Sequence, residues 1–323
     1  MTAQETGVRD IHVAVAVIIR DGRVLIARRP DHVHQGGLLE FPGGKVEPGE
    51  TVQAALVREI EEETGLSVPE ASLEPVIGVR HDYGDKRVFL DVWRTRSAYG
   101  DAVGREGQSV EWLWPEQLRD SEFPVANRPI IRALNLPGLL AITGDIQDVG
   151  QGLGDLKSAL ARQPLPLVLL RAPELTEADY LALAGAVLPA CESARADLLL
   201  HGASDRFFQI PGARGLHLPW REAERLTRRP LPVDAWLGVS CHNAAQLAHA
   251  VALGADYVTL GPVQPTATHP EQPAMGWSMF RELVSRAPVP VYGLGGLGPQ
   301  QVSQARQAGG QGIAGIRFWW SPV

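Results

Sequence analysis

From about residue 138 the chain repeats one pattern eight times: a short apolar run, followed in several cases by a stretch rich in helix formers. The runs are LLAIT (139–143), LVLLR (167–171), DLLLH (197–201), GLHLP (215–219), WLGVSC (236–241), DYVTLG (256–261), VPVYGLG (289–295) and GIAGIRF (312–318). Helical stretches such as EADYLALAGAVLPA (177–190), AAQLAHAVALG (244–254) and QQVSQARQAG (300–309) separate them. Alternating βα units imply a parallel sheet. Eight of them in so short a length predict a compact (β/α)8 TIM barrel over residues 136–323.

The residues before this are organised differently. IHVAVAVIIR (11–20) and RVLIARR (23–29) flank Asp21-Gly22, a strong hairpin signal. LEPVIGVRHDY (73–83), a turn at Gly84-Asp85, KRVFLDVWRTR (86–96) and SVEWLW (109–114) read as further strands. TVQAALVREIEEETG (51–65) reads as a helix stopped by Gly65, and VANRPIIRALN (125–135) as a second helix despite Pro129. NLPGLL (135–140) is the expected junction, giving domains 1–135 and 136–323 of an α/β protein. The net charge of -7 argues against binding duplex nucleic acid without regard to sequence, which needs a basic face. Only Cys191 and Cys241 are present, too few for a disulfide framework, so a reducing compartment is expected, with Cys241 a small buried strand residue. The N-terminus lacks the pattern of a signal peptide, and no apolar run is long enough for a membrane span. A cytoplasmic protein without a membrane partner is the expectation.

The helix over 51–65 carries Glu59, Glu61, Glu62 and Glu63, with Glu50 just before it. Residues three and four apart share a helix face, so Glu59, Glu62 and Glu63 are expected to converge and Glu61 to point away. Like charges on one face repel. A hard divalent cation such as Mg²⁺, which takes oxygen ligands and bridges to phosphates, gives the cluster a purpose. A solvated acidic face is the plain alternative. Arg58 can pair with Glu50 and fix the preceding loop, and Gly43 and Gly44 allow close backbone approach.

Gly44, five residues, Glu50, seven residues and then REIEEETGL matches the Nudix box. With ARRP, LEFPGGKVEPGE, GREGQSVEWL (104–113) and FPVANRPII (123–131), residues 10–134 resemble the MutT-type Nudix hydrolases. That resemblance implies an α/β/α sandwich with a mixed sheet. It also implies Mg²⁺-dependent (Mn²⁺ as a substitute) hydrolysis of 8-oxo-dGTP to 8-oxo-dGMP and pyrophosphate, which would keep oxidised guanine out of DNA. Under it the Gly43 carbonyl, Glu59, Glu62, Glu63 and Glu106 hold the metal, and Glu59 or Glu106 is the general base. Asn127 reads the purine edge, Phe41 and His34 line the nucleoside pocket, and Arg29 touches phosphate or sugar. Lys86 stands where the bacterial pattern prefers Arg, keeping the charge without the planar fork. The plain alternatives are core for Phe41, an exposed strand residue for Arg29 and a helix cap for Asn127.

The barrel segments LLAITGD, GLHLP, GVSCHN, ALGADYVTLGPVQPTATHP, VPVYGLGGL and GIAGIRFW resemble the thiamine phosphate synthase and TenI family. Gly295, Gly296 and Gly315 would then lie in a phosphate cup, and His242 would match the acid–base histidine of thiazole tautomerisation, or be a satisfied strand-end histidine. The departures concern the charged groups. LRAPEL replaces an Arg-x-Lys segment, His201-Gly202 an Asp, LPWREA a Gly-Gln-x-Asp, and His269 a phosphate lysine. The expected barrel therefore binds a thiazole or pyrimidine phosphate and does not join the two. Alternatives are a tautomerase or a non-catalytic sensor for the barrel, and thiamine-pathway diphosphates as substrates of the first domain.

Overall fold

The computed structural model describes residues 9–30, 36–84, 86–266 and 273–320. The chain divides into two compact units, Met1–Asn135 and Leu136–Val323. No helix among the described residues is long and apolar enough to cross a membrane.

The first unit is a mixed sheet between two helices. In chain order it comprises β1 (Arg9–Arg20), β2 (Arg23–Arg28), β3 (Leu39–Glu40), β4 (Gly43–Lys45), α1 (Val52–Thr64), β5 (Glu74–Asp82), β6 (Lys86–Thr95), β7 (Val110–Leu113) and α2 (Arg128–Asn135). The sheet order is β3-β2-β1-β6-β5, with β4 paired to β1 and β7 to β2. The β1–β6 pair is parallel, and the others are antiparallel.

β1 is apolar almost throughout because both of its faces are covered. Ala14, Ala16 and Ile18 pack under Ala55, Leu56 and Ile60 of α1. Val15 and Val17 face the opposite way, into a core with Phe41, Ile77, Val79, Phe123 and Ile130. The β1–β2 turn is the two-residue kind, with Asp21 at φ 50° and Gly22 at φ 79°, a twist that suits a tight hairpin. Pro129 is tolerated because it stands in the first turn of α2, where no intrahelical N–H is needed.

The second unit is a closed barrel of eight parallel strands: β8 (Leu139–Ile142), β9 (Leu167–Leu170), β10 (Asp197–His201), β11 (Gly215–Leu218), β12 (Trp236–Cys241), β13 (Tyr257–Leu260), β14 (Val291–Leu294) and β15 (Gly312–Gly315). β15 pairs with β8 to close the ring. Inside, Leu140, Ile142, Leu167, Leu169, Leu199, Tyr257 and Tyr292 fill the barrel, while the outward strand residues pack under the helices.

The barrel is compact because two crossovers are minimal. The helices Asp205–Gln209 and Trp220–Ala223 are short, whereas Glu177–Ser193 runs past Pro189. The last run, read from sequence as a strand over 312–318, stops at Gly315. Arg317–Trp320 turns helical, and the buried Trp319 indole donates back to the Gly315 carbonyl.

Candidate functional site

In the first unit, helix α1 is fixed at both ends. The Thr51 hydroxyl accepts the Ala54 N–H at 3.1 Å, and Gly65 closes the helix at φ 72° with its N–H on the Glu61 carbonyl. Arg58 sits at the centre of the acidic group. Its guanidinium takes Glu50 with two nitrogens at 3.1 and 3.0 Å, Glu59 at 2.7 Å and Glu62 at 3.2 Å, and it also reaches the Lys45 carbonyl at 3.3 Å. The loop before α1 is thereby tied to the helix, and the pairing holds the Glu50 carboxyl below its ordinary range.

Glu63, one turn beyond Glu59, accepts the Gly43 N–H at 2.9 Å. Gly43 has no alternative residue. Its φ is 148°, and a Cβ there would lie 2.1 Å from the Ala14 carbonyl oxygen. A Cβ on Gly44 would strike the Glu59 carboxylate.

The loop carrying Glu106 docks on the end of α1. The Arg105 N–H and the Gln108 amide both donate to the Glu63 carbonyl, at 2.9 and 3.2 Å, and Gln108 also holds the Glu106 N–H at 2.8 Å. Glu106 is close enough to act electrostatically on both Glu63 and Glu40. Burial, with Glu40, Glu59 and Glu106 adding repulsion against the Gly43 bond, pushes Glu63 up to about 8. Clustered hard-oxygen donors, among them a carboxyl raised this far by burial and by its acidic neighbours, fit a divalent cation in chemistry.

The three-way convergence expected on α1 is nonetheless not a preformed cage. Among the described residues no three acidic, histidine or cysteine side chains are arranged to hold a metal. Like charges spread to the nearest donors, so Glu59 and Glu62 turn to Arg58 while Glu63 turns to Gly43.

Glu40 and Tyr83 were not picked out from sequence. Glu40 pairs with Arg29, and burial raises its carboxyl. Tyr83 lies within electrostatic reach of Arg29, and Lys86 stands 5.5 Å above its ring. A carboxylate three residues before the glycines was the available signal for Glu40. Phe41 is 5% exposed and packs on Phe123 at 5.5 Å, so most of its surface serves the core. Asn127 ends a short 3-10 turn (Val125–Asn127) and is buried. His34 lies outside the described residues.

At the carboxyl ends of the barrel strands, His242 is exposed, and its Nδ1 lies 2.7 Å from the Gly261 carbonyl. The chain after Gly261 then binds the next loop, with the Val263 N–H on the Leu294 carbonyl at 2.8 Å and the Gln264 N–H on the Gly295 carbonyl at 3.1 Å. Gly295 and Gly296 have φ 95° and 67°, and a Cβ on Gly296 would lie 2.6 Å from the Pro265 carbonyl oxygen. His242, Gly295 and Gly296 thus share one connected rim, with Gly315 ending the neighbouring strand.

His201 is pushed down to about 3 by burial and by Arg171, Arg206 and Arg221. A neutral imidazole among three arginines does not fit a Mg²⁺ ligand. Glu222 refines the expected losses. It ends Pro219-Trp220-Arg221-Glu222, where the family pattern ends in Asp, so a longer carboxylate is present there, 3.8 Å from the Arg221 guanidinium. His269 lies outside the described residues. Sequence reading also missed a polar group inside the barrel. The buried His217 meets the Tyr257 hydroxyl at 3.1 Å and the Ser240 hydroxyl at 2.9 Å.

Comparison with known proteins agrees with this division. Residues 139–318, more than half of the chain, match the family model "Thiamine monophosphate synthase", and residues 14–133 match the model "NUDIX domain". The first unit is 35% identical over 127 residues to the 8-oxo-dGTP diphosphatase of Escherichia coli (strain K12), covering 39% of this chain and 97% of that one. It is also 37% identical over 124 residues to the CTP pyrophosphohydrolase of the same organism, covering 38% and 90%. The barrel is 28% identical over 186 residues to the putative thiamine-phosphate synthase 2 of Aquifex aeolicus (strain VF5), covering 58% and 99%. Through its barrel the chain belongs to the thiamine monophosphate synthase family, and it carries a Nudix hydrolase domain as its N-terminal unit.

Proposed function

We propose that the N-terminal unit hydrolyses 8-oxo-dGTP to 8-oxo-dGMP and pyrophosphate with Mg²⁺, Mn²⁺ serving in its place, and so removes an oxidised nucleotide before it enters DNA. The observation that carries this reading is the cluster of Glu63, Glu59, Glu106 and Glu40 at the end of α1, in which burial, with the neighbouring carboxylates adding to it, raises Glu63 to about 8. The Gly43 carbonyl, Glu59, Glu62, Glu63 and Glu106 would hold the metal, whose charge offsets that of the phosphate chain and acidifies the attacking water. Glu59 or Glu106 takes the proton from that water. Arg58 holds Glu59 and the Glu50 loop in place. Asn127 offers the base both a donor and an acceptor. Phe41 contributes an apolar wall, Lys86 and Tyr83 flank the entrance, and Arg29, oriented by Glu40, meets phosphate or sugar.

In the barrel, the rim of His242, Gly295, Gly296 and Gly315 binds the phosphate of a thiazole or pyrimidine phosphate through backbone N–H groups. Joining the two is not expected, since a neutral His201 stands where an acidic ligand belongs. The test is a panel of 8-oxo-dGTP, dGTP, CTP and thiamine-pathway diphosphates given to the full chain with Mg²⁺. Pyrophosphate release greatest from 8-oxo-dGTP supports the reading. Preferred cleavage of a thiamine-pathway diphosphate, or thiamine phosphate formed from both precursors, overturns the corresponding half.

A further inference from the structure

We infer that Arg128 is a base-specificity residue of the nucleotide site, selecting purines that carry a carbonyl at position 6; the inference rests on the nucleotide reading above. Arg128 opens α2 directly after the buried Asn127. Its Nε is enclosed without a hydrogen-bond partner, although the residue as a whole is only half-buried. Other arginines of this unit at similar depth are matched: Arg29 by Glu40, Arg58 by Glu50, Arg94 by Glu74. Arg132, one turn further along α2, has Asp120 at 2.7 Å. An enclosed N–H without an acceptor is destabilising in the free protein. Among the described residues no acceptor meets the Arg128 Nε, whereas its neighbours are matched by Asp or Glu.

The chemistry of the missing partner follows from the donor. A guanidinium only donates, so what meets Arg128 must present acceptors. Its chain neighbours Ala126 and Ile130 belong to the core that contains Phe41 and Phe123, with Tyr83 packed against it, apolar surroundings suited to a flat ring. A flat ring with acceptors on its edge is a purine, and Arg is the usual partner of the guanine edge. O6 is the acceptor that guanine and its 8-oxo form share. A 6-amino purine would turn a donor toward the guanidinium donors and leave both unpaired, which is how a polar site rejects the wrong ligand. Asn127 alone cannot discriminate in this way, because its amide can rotate to offer either a donor or an acceptor.

The test uses the full chain with Mg²⁺ and compares kcat/KM for 8-oxo-dGTP, dGTP and dATP in wild type, Arg128→Met, Arg128→Lys and Asn127→Ala. Arg128→Met is expected to lower the preference for the two 6-oxo nucleotides over dATP by about ten- to a hundredfold, mainly through KM. Arg128→Lys should retain part of the preference. The melting temperature of Arg128→Met should fall little, because no hydrogen bond at Nε is lost. An unchanged preference overturns the inference, whether or not stability falls. So does an equal loss for all three nucleotides, which would assign Arg128 to phosphate. If Asn127→Ala alters the preference and Arg128→Met does not, only the arginine assignment fails. A wild type that hydrolyses none of the three overturns the nucleotide reading and this inference together.

Discussion

Glu63 and His201 are both ionisable groups drawn out of water, and their surroundings differ in sign. Glu63 lies among carboxylates and is pushed up to about 8, whereas His201 lies among arginines and is pushed down to about 3. Carboxylates add to the burial of Glu63, and arginines add to the burial of His201, although Arg206 and Arg221 are themselves paired with Glu177 and Glu222. The first site can be completed by a cation, as the proposed hydrolysis requires, whereas the second keeps His201 neutral and the phosphate is proposed for the glycine rim. The two sites also differ in how they are built. The acidic one is assembled from a helix, a preceding loop and a distant loop pinned together by Arg58, Gly43 and Gln108. The rim of the barrel depends on backbone shape, with glycines at positive φ.

Removing one carboxylate should have the largest effect. Glu63→Gln or Glu62→Gln is expected to lower kcat on 8-oxo-dGTP by roughly a thousandfold or more while the fold survives, since loss of a like charge relieves the helix. Steady-state kinetics with a melting curve checks both halves. Wild-type rates in both variants would remove these residues from the site. Arg58→Ala attacks the same site through the cation that pairs with Glu50, Glu59 and Glu62. Misplacing Glu59 and the Glu50 loop should cost about ten- to a hundredfold in kcat with KM near that of wild type. A pure change in KM would show that Arg58 contacts substrate instead.

The barrel side of the comparison is tested by acid. The folded pKa of His201 is depressed below its unfolded value, so the unfolded chain takes up the proton first. The contribution of His201 to stability is therefore complete above about pH 6.5 and is lost as the pH falls from there toward 3. Barrel stability should drop by about 1.4 kcal/mol per pH unit from this residue in the middle of that range. The buried His217, also depressed, adds to the slope. Denaturant titrations of wild type and His201→Asn between pH 7 and 5 read the difference, and identical slopes would contradict the account. The smallest effect is at the rim. Gly296→Ala, at φ 67° and facing the Pro265 carbonyl, should cost about 1 kcal/mol or somewhat more and weaken binding of a thiazole phosphate measured by calorimetry. Unchanged binding would place the phosphate elsewhere.

Much of this could be read from local pattern. The Asp21-Gly22 hairpin, the eight barrel strands and the acidic helix are each encoded within a few neighbouring residues, so periodicity and turn chemistry suffice. What escaped depends on contacts between distant segments. Glu40 matters because it acts on Glu63 across distant segments, and the expected three-carboxylate face is divided, with Glu59 and Glu62 sharing Arg58 while Glu63 accepts from Gly43. The interior group of His217, Ser240 and Tyr257 joins three strands, and each of these residues alone reads as an ordinary strand residue. The end of β15 was misread because GIAGIRF is apolar but for Arg317, while the turn into a helix goes with the burial of Trp319 beyond it.

The central claim is that the acidic site of the first unit is a metal-dependent pyrophosphohydrolase for oxidised guanine nucleotides. The most direct measurement is kcat/KM of the full chain for 8-oxo-dGTP and for dGTP, with Mg²⁺ and with excess chelator, identifying the products. The account predicts 8-oxo-dGMP and pyrophosphate, a clear preference for the oxidised base, and loss of activity with chelator. Hydrolysis that survives chelation, or equal rates on the two nucleotides, would contradict it.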